Sequence, residues 1–129
     1  MNVEVELSRI VIDENNDQQV VVLKEKNGNR YLPIIIGIVE IMAIDRRIKG
    51  IETPRPLTHD LLNSTIRALG AKIEKIVIDD IKNHTYYAKI HLNASGNKIE
   101  VDSRPSDAIA LSAGRNIPLY VAEHVFTNA

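Results

Sequence analysis

The chain contains no cysteine and no tryptophan. The first absence excludes disulfides, thiolate metal centres and cysteine nucleophiles, and it fits a cytoplasmic location. Aromatic side chains are sparse: Tyr31, Tyr86, Tyr87, Tyr120 and Phe126 are all there are. Single-strand binders that work by stacking interleave aromatics with basic residues, so a stacking platform is not expected. No apolar run approaches the roughly 18 residues of a membrane span, so no membrane partner is expected. The N-terminus shows no basic flank followed by an apolar stretch, so no secretory leader is expected either. Gly-x-Ser-x-Gly elbows and Gly-rich phosphate loops are also missing, which sets aside the common serine-nucleophile and nucleotide-loop chemistries. Finally, charge of one sign is lacking. The formal net charge is −1, too little for nucleic-acid binding through a global positive field.

The charge that is present is unevenly placed. Residues 1–17 hold five acids (Glu4, Glu6, Asp13, Glu14, Asp17) and one base (Arg9), whereas Ile44 to Lys72 carries Arg46, Arg47, Lys49, Arg55, Arg67 and Lys72 against Asp45, Glu52 and Asp60. A local basic face is compatible with this, although Arg46, Arg47 and Lys49 also read as an ordinary solvated helix face. With 129 residues and 44% hydrophobic content, the chain suits one domain over 1–129 with a real core.

Apolar alternation predicts strands at Met1 to Ile12, Gln19 to Glu25 and Tyr31 to Ile36, with Asn27-Gly28 as a turn between the last two. Ile38, Ile41, Met42, Ile44 and Ile48 then fall at helical spacing until Gly50, with Asp45 and Lys49 as an i,i+4 pair. A second meander follows at Lys72 to Ile81, Tyr86 to Leu92 and Ile99 to Asp102. A short, nearly all small or apolar helix is expected at Ser106 to Gly114, buried on most sides, and a short strand at Pro118 to Val121. Strands cluster in sequence instead of alternating with helices. The expected architecture is therefore α+β, antiparallel β-meanders with about three helices in a single compact domain.

Two Arg-Pro steps stand out, each opening a helix: Pro54-Arg55-Pro56-Leu57-Thr58-His59-Asp60 and Asp102-Ser103-Arg104-Pro105-Ser106-Asp107. Proline fixes its own φ and pushes the preceding residue toward extended geometry, so Arg55 should be extended. Thr58 reads as an N-cap, Leu57 as a staple to Leu62, and Gly70 stands past the helix end. Each corner sets a guanidinium, carboxylates and a hydroxyl at a helix N-terminus, which attracts anions.

These two segments, extended to Pro54 through Leu61 and Val101 through Leu111, closely resemble the signature blocks of the bifunctional nuclease domain family of bacteria and plants. Leu32-Pro33-Ile34-Ile35-Ile36-Gly37 followed by Glu40 resembles it too, and the match runs nearly end to end. The resemblance implies an α+β domain that associates with copies of itself as a homo-oligomer. It also implies a nucleic-acid substrate, the family name deriving from combined RNase and DNase activity.

Phosphodiester hydrolysis needs an activated water, neutralised phosphoryl oxygens and a stabilised leaving oxygen. Candidates exist for each. Asp60 and Asp107, with Glu40 or Asp102, would be oxygen ligands for Mg²⁺ or another hard divalent cation. Arg55 and Arg104 would clamp phosphate, and His59 would be general base or acid. Zinc is not expected, since position i+4 from His59 is Asn63. Structural explanations compete throughout. Asp60 and Glu40 complement their own helix N-termini, Arg104 and Asp107 can pair with each other, and His84, His91 and His124 read as surface or core histidines. Two function classes follow: a nuclease of low sequence specificity, and a non-catalytic anion-binding or protein-interaction module.

Overall fold

Alternation becomes architecture directly in the computed structural model, which describes all residues from Met1 to Ala129. β1 (Asn2–Val11), β2 (Gln18–Glu25) and β3 (Tyr31–Gly37) form the first antiparallel meander. In β3 the period is explicit: Leu32, Ile34 and Ile36 are buried while Tyr31 and Ile35 face outward. The β1–β2 loop is pinned by Gln19, whose buried side chain bonds both backbone groups of Asp13 and the Asn16 carbonyl.

The second meander is β4 (Ala71–Lys82), β5 (Thr85–Ala94) and β6 (Asn97–Ser103). Its hairpins turn on two residues with positive φ, Asn83-His84 and Ser95-Gly96, the geometry that matches strand twist. His84 is thus a turn residue. The two meanders are joined into one sheet by β7 (Leu119–Ala122), antiparallel to β1 and parallel to β4, giving the order β3-β2-β1-β7-β4-β5-β6. The architecture is α+β, as expected.

Three helices lie on the sheet: α1 (Ile38–Ile48), α2 (Thr58–Ala68) and α3 (Pro105–Ser112). α1 packs on β2 and β3, while α3 packs on β4 and β5 and touches both other helices. Ile41 and Ile44 of α1 and Ala108 through Leu111 of α3 complete a core with Leu23, Leu32, Ile76, Ile78 and Val121. Burying such aliphatic side chains stabilises the fold by about 1.5–3 kcal/mol each for the larger ones. Burial of α3 on nearly every side matches its composition. The Asp45–Lys49 pair forms at 2.9 Å.

One local expectation is corrected. α2 begins at Thr58, so Leu57 and not Thr58 occupies the N-cap, with no side-chain acceptor of its own and no place as a staple one residue earlier. The tail also folds as α4 (Glu123–Asn128), held by buried Val125, a bidentate Arg30–Glu123 pair and the Arg30 guanidinium 4.4 Å over the Phe126 ring. No helix is long and apolar enough to cross a membrane.

Candidate active site

Both proline corners deliver a helix whose third residue is aspartate. α2 opens Thr58-His59-Asp60 and α3 opens Pro105-Ser106-Asp107, each after an extended residue, Leu57 (φ −84, ψ 176) or Arg104 (φ −71, ψ 145). Pro105 at the first position costs α3 no hydrogen bond, because that N–H would be unpaired anyway.

At the first corner Asp60 folds inward. The Leu57 N–H donates to its Oδ2 at 3.2 Å, and its Oδ1 accepts from Arg115 Nη2 at 2.7 Å and Arg47 Nη1 at 3.3 Å. Burial pushes this carboxyl up, but the Leu57 N–H and the two arginines outweigh burial and hold it below the usual carboxylate range. Both arginines are anchored from behind: Arg115 Nη1 donates to the Leu111 carbonyl at 2.7 Å, and Arg47 Nε to the Ala113 carbonyl at 3.3 Å. Gly114 makes this possible. It sits at φ +71, and a Cβ there would lie 2.8 Å from the Arg47 carbonyl oxygen, so only glycine lets the exit of α3 cross α1 so closely. Burial and the neighbouring Arg47 charge both lower the Arg115 pKa, although the guanidinium stays charged.

At the second corner the ion pair expected between Arg104 and Asp107 is present. Arg104 Nε donates to Asp107 Oδ2 at 2.9 Å, with Nη2 2.8 Å from the same oxygen, and Nη1 donates to Glu40 Oε1 at 3.3 Å. The hydrogen bond and charge of Asp107, then Glu40, raise the Arg104 pKa further. Its side chain is nonetheless 65% exposed and keeps unused N–H donors. The other oxygen of Asp107 reaches across to the first corner, where His59 Nε2 donates to Oδ1 at 3.1 Å. That contact assigns the proton to Nε2 and leaves Nδ1 as the lone-pair nitrogen.

The remaining candidates lie apart. Asp102 is 78% exposed, 3.5 Å from Lys89, and Arg55 is exposed with its backbone carbonyl held by Thr53 Oγ1 at 2.6 Å. His91 and His124 sit near Glu100 and Asp80. So His59, Asp107, Arg104 and Glu40 make contact with one another, Asp102 lines the same groove with its carboxylate on Lys89, and Asp60 and Arg55 stand apart.

This arrangement does not suit the expected hard divalent cation. No three histidine, aspartate or glutamate side chains stand together in a geometry that would hold a metal. Asp60 is neutralised by two guanidinium groups, Asp102 pairs with Lys89, and the Arg104 cation sits between Glu40 and Asp107. Of the two helix-opening acids Asp60 is the less exposed, its side chain 27% against 35% for Asp107, and it is the more heavily paired. Arg47 and Arg115, which hold Asp60, went unread because their partner is 13 or 55 positions away.

His59 lines two hollows. One, of about 520 Å³, lies behind the first corner and is walled by Arg46, Arg47, Thr53, Pro56 and Ser64. The other, about 580 Å³, is a groove between α2 and β5–β6, lined by Leu62, Ile66, Leu92 and Val101, with Arg104 and Asp107 at one end.

The sequence model of the bifunctional nuclease domain matches residues 21–129. The chain belongs to the bifunctional nuclease domain family. An uncharacterized protein of Mycobacterium tuberculosis strain H37Rv is 40% identical over 126 residues, covering 98% of this chain and 75% of its own length. Among plant members, Bifunctional nuclease 1 of Oryza sativa subsp. japonica is 26% identical over 112 residues, 84% of this chain and 34% of that protein. Bifunctional nuclease 2 of Arabidopsis thaliana is 23% identical over 109 residues, 81% and 33% respectively. The chain thus spans about a third of the plant members it matches.

Proposed function

We propose that this bifunctional nuclease domain hydrolyses phosphodiester bonds of RNA, DNA or both with little sequence preference, and that His59 is the proton-transfer residue. The observation that supports this is the 3.1 Å contact from His59 Nε2 to Asp107 at an open groove, beside an arginine with donors to spare. Asp107 orients the imidazole; Nδ1 takes the proton from an attacking water. Charge developing on the phosphoryl oxygens is met by the unused N–H groups of Arg104. The phosphorus–oxygen bond to the leaving group breaks, and the proton returns from His59 to that oxygen. Each turnover then consumes one water and leaves His59 neutral.

Carboxylates already paired with guanidinium groups carry no step through a metal here, so cleavage is expected to persist in EDTA. The test is cleavage of labelled single-stranded RNA and DNA by purified protein, with EDTA and with Mg²⁺. His59→Ala should lower kcat by roughly 10²–10⁴-fold with an unchanged melting temperature. Asp107→Asn, which leaves the imidazole without its orienting carboxylate, should lower kcat with KM little changed. Retention of wild-type turnover by His59→Ala would sink the assignment. Self-association and a cytoplasmic location belong to the same reading. Exposed Leu61 and Leu62 on α2 and Leu69 just past it support the former, which light scattering of the purified chain tests.

A further inference from the structure

The His59–Asp107 end is poorly charged for a polyanion. One guanidinium, Arg104, stands between two carboxylates, Asp107 and Glu40. A strand laid there needs a further cationic contact, and the hollow on the other side of His59 holds an arginine that no carboxylate takes. Two half-buried guanidinium groups line that side, Arg46 and Arg47, and Arg115 reaches Asp60 from beyond it. Arg47 and Arg115 share Asp60, and Arg46 holds no carboxylate at all. Its Nε is enclosed and has no hydrogen-bond partner. An enclosed charged donor without an acceptor costs folding free energy, and no ligand in the open hollow reaches it; the Arg46 Nη groups, which are not enclosed and which no carboxylate takes, are the donors left for an anion. Glu52 and Asp60 balance Arg46 and Arg47 in the lining, so what the hollow offers an anion is one guanidinium without a carboxylate, Arg46.

Sequence and geometry explain how this donor is kept unpaired. Gly50, at φ +67, ends the turn after α1 and sends the chain into residues 51–57, where Pro54 and Pro56 hold the loop away from the helix. What is left between them is the space of about 520 Å³, with the Thr53 and Ser64 side chains and the start of α2 on its walls. The space is large enough for a phosphate group and open to solvent.

We propose that this hollow is a phosphate subsite in which Arg46 is the principal donor. It takes either a phosphate internal to a polynucleotide or a terminal phosphate monoester, while the scissile linkage lies on the Arg104 side of His59. This rests on the reading of His59 as the reacting centre. Guanidinium suits the task because it offers a planar fork to phosphate oxygens.

The test is equilibrium binding of 3′-fluorescein oligothymidylate by anisotropy at several salt concentrations, with and without a 5′-phosphate. It is run in a His59→Ala background so that no strand is cut. Arg46→Met, which keeps the apolar stem, should weaken binding about tenfold. It should also flatten the dependence of log K on log salt by ~0.7, the loss of one phosphate contact on a single strand. Arg46→Lys should fall between, and the melting temperature should not drop, because an unpaired enclosed donor has been removed. If the loss is confined to 5′-phosphorylated strands, the subsite takes a terminal phosphate; if it is equal on both, it takes an internal one. Unchanged affinity and salt slope in Arg46→Met, repeated with Arg46→Gln, would overturn the proposal. The outcome is separable from that of the catalytic reading. If His59→Ala still cuts, the same comparison is made in the wild-type background at short times, and Arg46 is judged on binding alone.

Discussion

The two proline corners share a local grammar and have opposite outcomes. In both, a residue held extended precedes a helix whose third position is aspartate. In the first, Asp60 returns to its own N-cap N–H and is gripped by arginines from α1 and from the segment after α3. In the second, the N-cap residue is itself arginine. Arg104 takes one oxygen of Asp107 and leaves the other for His59, which comes from the first corner. A helix dipole explains why acid stands at the third position of each. It does not say what the acid will touch, and the partner decides whether the group holds the fold together or aims a reactive side chain.

The strongest way to break this contrast is to exchange the consequences. His59→Ala should remove turnover by about 10³-fold and leave stability close to wild type, since the imidazole packs at a rim between two hollows. Asp60→Asn should do the reverse. It leaves Arg47 and Arg115 facing each other without a carboxylate, and the loss of stability should be on the order of 2–3 kcal/mol, read by urea unfolding at pH 7. Its pH dependence is fixed by the direction of the Asp60 shift. The folded-state pKa lies below the unfolded value near 3.8, so the carboxylate stabilises the fold above that value and loses its contribution as pH falls through the folded pKa. The wild-type and Asp60→Asn stability curves should therefore converge below about pH 3.8 and separate above it. If Asp60→Asn instead abolishes turnover with stability intact, the corners have been assigned the wrong way round.

Much of the fold was readable because its signals are local. Period-two burial in β3, the two-residue turns Asn83-His84 and Ser95-Gly96, and the apolar composition of α3 each depend on neighbours in sequence. What was not readable depends on distant partners. α4 is six residues long and owes its place to Val125 in the core and to Arg30, 93 positions before Glu123. The site follows the same division. His59, Arg104, Asp107 and Glu40 were all singled out, because capping chemistry and the family blocks mark them. The contact of His59 with Asp107 was not, because they are 48 positions apart and the register between α2 and α3 is set by packing on β4. The metal set was chosen by residue type alone, and arginine and lysine cations occupy its carboxylates.

Glu40 sharpens the second corner on a smaller scale. Its contact with Arg104 is 3.3 Å long and the arginine is mostly exposed, so the pair itself contributes well under about 1 kcal/mol. Glu40→Gln removes a negative charge beside the proposed phosphate path. The expected result is a gain of about two- to fivefold in oligonucleotide affinity at low salt, shrinking as salt rises, with a melting temperature nearly unchanged. A loss of affinity would mean that Glu40 acts by positioning Arg104 and not merely as a neighbouring charge.

The smallest effect belongs to the arginine that gives the first corner its likeness to the second. Arg55 is exposed, pairs with no carboxylate and is fixed only through its backbone carbonyl, by the Thr53 hydroxyl. Where Arg104 is drawn in by Asp107, nothing draws in Arg55, because the aspartate of its own helix has been taken by Arg47 and Arg115. A free surface guanidinium can still attract a polyanion from a distance. Arg55→Ala should therefore weaken oligonucleotide binding by only about two- to threefold at low salt and by nothing measurable at high salt, with stability within ~0.5 kcal/mol of wild type. The decisive comparison is with Arg104→Ala, which should lower kcat as well as affinity and should do so at every salt concentration. Equal losses in the two variants would show that substrate closes the loop at residues 51–57 and draws Arg55 into contact, making the corners alike in the complex although they differ in the free chain.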